Sequence, residues 1–172
     1  MIAQKQLATT ALSLVTIVFL AAVPSLAQER PEAGTFGLTA SVQTAQLDLM
    51  FPIWIAPKMT VSPSLSVQRI SDAVTDISLG LAVRFYSGTG RAAPFIGARG
   101  AFLILSSPGG HSATDILLGG IAGGEYFFDP HFSVSVEAQV NVIMNDENSF
   151  RYGSPDKTII NTGTGIFASF YF

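Results

Sequence analysis

The chain has 172 residues, enough for one domain, with a formal net charge of −3 and no cysteine. It carries no basic stripe of the kind nucleic acid requires, and without thiols it has neither a disulfide framework nor a thiolate metal site. Charged residues are only 12% and hydrophobic residues 48%, against roughly 25% charged in ordinary globular chains.

In chain order, the first segment is MIAQKQLATTALSLVTIVFLAAVPSLAQER, with Lys5 ahead of an apolar run from Leu7 to Val23. Pro24 ends the run, and Ser25-Leu26-Ala27 supplies small residues before Gln28. That layout predicts a secretory signal peptide over 1–27 and a mature domain over 28–172. A retained helical anchor is the competing reading, but the run falls short of the roughly 20 apolar residues a spanning helix needs. No later stretch approaches that length, so the apolar surface must be used in another way.

The later pattern has period two. Eight strands are predicted at about 34–43, 46–55, 59–68, 76–86, 94–105, 115–128, 131–143 and 158–172. In the fourth, Ile77, Leu79, Leu81, Val83 and Phe85 oppose Ser78, Gly80, Ala82 and Arg84. In the seventh, Phe132, Val134, Val136, Ala138, Val140 and Val142 oppose Ser133, Ser135, Glu137, Gln139 and Asn141. Connections after even strands are tight: Ala56-Pro57-Lys58, Ser87 to Ala93, and Asp129-Pro130. Those after odd strands run longer, at Ile70 to Thr75, Ser106 to Thr114 and Met144 to Lys157, except for a short first turn near Thr44-Ala45. Alternating short turns and long loops predict an all-β, eight-stranded antiparallel up-and-down transmembrane barrel.

Alternation alone also suits a soluble sandwich or a ligand-binding barrel; size decides between them. Thirty or so large side chains would overfill the interior of a small barrel. The surface left outside would be Ser, Thr, Gly and Ala, too poor in charge for a soluble protein. The apolar faces therefore point outward to lipid, and the small polar residues line the lumen. Aromatics gather near the short-turn end, at Phe85, Tyr86, Phe95, Tyr126 to Phe128, Phe132 and Phe170 to Phe172, as an interfacial girdle does. On this register Asp48, Arg84, Arg99, Glu125 and Glu137 face inward, and two layers of Arg–Glu contact are expected across a plugged lumen. A narrow porin-like channel for small solutes is the alternative.

Chemistry finds little support. His131, Ser133 and Glu137 share one face of the seventh strand, but that face is the lumen, and His131 belongs to the Asp129-Pro130 turn. Lipid-modifying barrels act at their lipid-facing wall, so no enzyme is expected. His111 has one nearby carboxylate, Asp115, too few groups for a metal. Gly119-Gly-Ile-Ala-Gly-Gly124 lacks the GK[ST] of a phosphate loop. Trp54 reads as packing, and the loop over 145–156 as a solvated segment. No cofactor is expected.

Two stretches resemble a family. "GGEYFFDPHFSVSVEAQV", 123–140, resembles the penultimate hairpin of small outer-membrane barrels of the OmpA-like and opacity-type families. "GIFASFYF", 165–172, resembles their closing strand. The resemblance implies a bacterial outer-membrane location and contact with its lipids. It implies that the barrel-assembly machinery reads Phe172, Phe170 and Ile166, with Ala168 a weak member of the series. It implies a structural or surface-interaction role without catalysis, and a wall-anchoring role is not implied.

Overall fold

The computed structural model describes residues 30–41, 47–70, 74–106, 112–149, 151–153 and 155–172. The predicted signal peptide, the turn at Thr44-Ala45 and His111 lie outside them. The strands are β1 Gly37–Ser41, β2 Leu47–Met50, β3 Ile53–Ala56, β4 Met59–Ile70, β5 Val74–Tyr86, β6 Ala92–Ser106, β7 Ser112–Asp129, β8 Phe132–Met144 and β9 Thr158–Tyr171. They run in the order β2-β1-β9-β8-β7-β6-β5-β4-β3, every pair antiparallel, and β2 also pairs with β4. That pairing closes the sheet into an eight-stranded up-and-down barrel.

β2 and β3 are two halves of one barrel strand, expected as a single run over 46–55. Pro52 has no N–H to give a ladder, and the strand breaks at Phe51-Pro52. The gap is bridged: Phe51 N–H donates to the Pro63 carbonyl at 2.9 Å and Gly37 N–H to the Pro52 carbonyl at 2.8 Å. No open edge results. The tight turns use the residues expected of them. Gly88 takes a φ of 94° between β5 and β6, which a side chain would resist. The Asp129 carboxylate accepts from His131 N–H at 2.7 Å and fixes the β7–β8 turn.

The pleat sorts side chains as the alternation predicts. Leu38, Ile53, Leu65, Leu81, Phe102, Leu118, Val140 and Ile160 all stand exposed on the outer wall, while Ser62, Ser133, Ser135 and Ser169 are buried inside. The aromatics expected in one girdle divide between the two faces. Phe85, Tyr126, Phe128, Phe170 and Phe172 are exposed outside, and Tyr86, Phe95, Phe127 and Tyr171 are buried inside. Part of the outer set forms a run of rings, with centroids 5.1 Å apart for Tyr126–Phe128, 5.4 Å for Phe128–Phe132 and 4.9 Å for Phe132–Phe170. Lumen glycines leave room for bulk: a Cβ at Gly123 would stand 2.7 Å from the Phe95 ring.

Candidate functional site: the lumen

The lumen is layered. At the short-turn end lies an aromatic floor, in which Trp54 stacks on Tyr86 at 4.9 Å and meets Phe127 at 6.0 Å and Tyr171 at 6.3 Å. All four are buried, brought together because β3, β5, β7 and β9 each place an aromatic at an inward position near their ends.

Above the floor, Glu125 on β7 is a hub, 1% exposed. It accepts from the hydroxyls of Tyr86 at 2.7 Å, Tyr171 at 2.7 Å and Ser133 at 2.5 Å. The Arg84 guanidinium lies 4.0 Å from Glu125 and donates to one Glu137 oxygen through Nη2 at 2.7 Å and Nε at 3.1 Å. Its Cζ also sits 4.7 Å from the centre of the Phe95 ring. The other Glu137 oxygen accepts from Gln139 at 2.9 Å, whose carbonyl accepts from Arg99 at 2.6 Å. One polar chain therefore crosses the lumen from Arg99 to Tyr171 and joins β5, β6, β7, β8 and β9. Buried charges require such partners, since an unmatched one costs several kcal/mol, on the order of 3–5.

Beside this chain lies a cavity of about 40 Å³ lined in part by Asp48, Ser66, Arg99, Glu137 and Gln139. It has room for a few waters.

A second charged cluster lies at the long-loop end. The chain after β8 turns inward through a short 3-10 segment, Arg151–Gly153. The Arg151 guanidinium takes both oxygens of Asp76, through Nη1 and through Nη2 at 2.7 Å, and donates from Nε to Asp115 at 2.9 Å. Asp115 also accepts from the Ser149 hydroxyl at 2.8 Å and from Asp146 N–H at 2.8 Å, and both Asp115 and Ser149 are fully buried. Burial pulls the Arg151 guanidinium down in pKa, and the hydrogen bonds and charges of Asp76 and Asp115 more than reverse that, leaving it above its ordinary value. Between the two clusters, Ala101, Leu103, Leu117 and Ile143 form an aliphatic layer.

With the geometry in hand, likeness to a known structure can be weighed. The N-terminal β-barrel domain of Pseudomonas aeruginosa OprF is similar, with a TM-score of 0.56 and 14% identity, over 80% of this chain and 96% of that one. No protein-family profile matches the sequence, and no curated protein does. At that identity the likeness establishes the barrel fold.

Of the five lumen charges predicted from sequence, the structure joins Arg84, Glu125 and Glu137 directly and Arg99 through Gln139. The two expected Arg–Glu layers are thus one: Arg84 lies between both glutamates, and Arg99 reaches an amide. Asp48 lines the cavity, and its N–H donates to Ser41 Oγ at 3.1 Å. Ile166, Phe170 and Phe172 are exposed on the outer wall. His131 is exposed in its turn, its Nδ1 3.1 Å from the Tyr171 carbonyl, while Ser133 is committed to Glu125. The Arg151 cluster is what sequence reading misses. Asp76 and Asp115 share the inward parity of Arg84 and Glu125 on β5 and β7, a signal sufficient to place both inside.

Proposed function

We propose that this chain is an integral outer-membrane barrel, exported by the leader at 1–27, with a structural or surface-interaction role, a plugged lumen and no catalysis. The observation that carries the reading is the outer wall. Large apolar side chains stand exposed on strands all round the barrel, with Ile160 at 71% and Ile96 at 68%. Water would not tolerate so extensive an apolar surface on a monomer, whereas acyl chains would cover it. A closed barrel also satisfies the backbone within hydrocarbon. The partners are then outer-membrane lipids along the wall and, during biogenesis, the barrel-assembly machinery, with Ile166, Phe170 and Phe172 as the signal on the closing strand.

The layered filling of the lumen supports the plug, as does the small size, about 40 Å³, of the cavity beside its polar chain. Cell fractionation combined with a heat-modifiability gel tests the location and class. The protein is expected in the outer membrane, with unboiled material migrating differently from boiled. Recovery of folded monomer from detergent-free supernatant overturns the reading. Planar-bilayer recording tests the plug: a reproducible unit conductance replaces it with the narrow channel.

A further inference from the structure

The short-turn mouth carries a contact that the barrel itself does not require. The arm before β1 is held along β3, where Gly34 N–H donates to the Trp54 carbonyl at 2.7 Å and Trp54 N–H to the Thr35 carbonyl at 2.9 Å. From there Arg30 reaches the turn between β5 and β6 and donates from Nη1 to the Gly88 carbonyl at 2.7 Å. Its Cζ lies 4.8 Å from the centre of the Phe127 ring and 5.5 Å from that of Tyr86. The remaining nitrogens, Nε and Nη2, are buried and make no hydrogen bond among the described residues.

We propose that the aromatic floor is a guanidinium-binding site, occupied in cis by Arg30. The elements of recognition are all present: two ring faces that attract a cation, one carbonyl acceptor at their rim, and the Glu125 carboxylate beneath, held by Tyr86 and Tyr171. A planar, weakly hydrated guanidinium lies on the rings while one N–H meets the carbonyl. A compact, strongly hydrated ammonium loses more water there and has no plane to lay on the rings. Burial lowers the pKa of the Arg30 guanidinium, against attraction from Tyr86, Glu125 and Tyr171, and the group remains charged. With its side chain removed, the same site accepts a guanidinium in trans, as a free arginine derivative or an arginine of another peptide. The proposal rests on the fold alone and holds in detergent whatever membrane the protein occupies.

Trp54 is the only tryptophan in the chain and stacks on Tyr86, so its fluorescence reads the site. Acrylamide quenching of the refolded protein in micelles is compared with that of Arg30→Ala, with assembly checked by heat-modified migration. The variant is expected to steepen the quenching plot by at least about two-fold, a modest change suited to a cation–π contact. N-acetyl-arginine amide at tens of millimolar should restore the original slope, and N-acetyl-lysine amide should not. An unchanged slope in Arg30→Ala overturns the proposal. So does a raised slope that the arginine derivative fails to lower, or that both amides lower equally. Should Arg30→Ala not assemble, Arg30→Gln takes the same measurement with the same outcomes.

Discussion

At the short-turn end of the lumen, Glu125 gathers hydroxyls from β5, β8 and β9; at the long-loop end, Asp115 gathers Ser149, the Asp146 amide and Arg151 from one connection. Both acids are buried on the same strand, ten residues apart, roughly 33 Å along an extended chain. The difference lies in where the partners come from. The first cluster ties strands to strands, so it cannot open without loosening the wall. The second ties a loop to the rim, so it can open while the wall stands.

The largest effect should follow removal of the strand-borne acid. Glu125→Ala removes the shared acceptor of three buried hydroxyls and takes a carboxylate from beside Arg84, and should cost about 3–5 kcal/mol in urea unfolding of the refolded barrel. A loss below about 1 kcal/mol would deny the hub its role. On the outer wall, Val136→Arg should cost about 2–4 kcal/mol in vesicles if that face meets the bilayer core. Arg151→Ala comes next, at about 1–3 kcal/mol. It should act locally: faster hydrogen exchange at the Asp146 amide, with little movement of the global midpoint. Arg99→Ala should be mildest, about 0.5–1.5 kcal/mol, because Gln139 keeps its bond to Glu137.

Additivity sharpens the contrast further. Glu125→Ala and Arg151→Ala combined should match the sum of the singles within about 0.3–0.5 kcal/mol, as distant sites do. Strong coupling between them would mean that the lumen is one network, not two.

The barrel was legible because a strand's period is two and its apolar face continuous; one register on β7 or β8 orients every residue along it. The same rule placed Arg84, Arg99, Glu125 and Glu137 inside. It could not choose partners. Arg99 and Glu137 look level when counted from the short-turn ends of their strands, yet the pairing aligns Arg99 with Asn141 across Gly119, and Gln139 comes within its reach. The girdle was misread for a related reason: proximity in sequence grouped Phe127 with Tyr126 and Phe128, although adjacent residues on a strand face opposite ways. Arg151 was invisible to such reasoning because its segment has no period, and its place is fixed only by Asp76 and Asp115 across the mouth.

The final three residues thus face opposite sides of one wall, with the proposed assembly signal outside and a bond to the hub within. Phe170 and Phe172 present rings to the exterior, and Tyr171 between them sends its phenol to Glu125. Clipping this terminus would erase both at once and leave the cause of any defect ambiguous. Replacing Tyr171 alone with Phe keeps the ring and deletes only the phenol's bond to Glu125, so assembly of that variant separates the inner contact from the proposed outer signal.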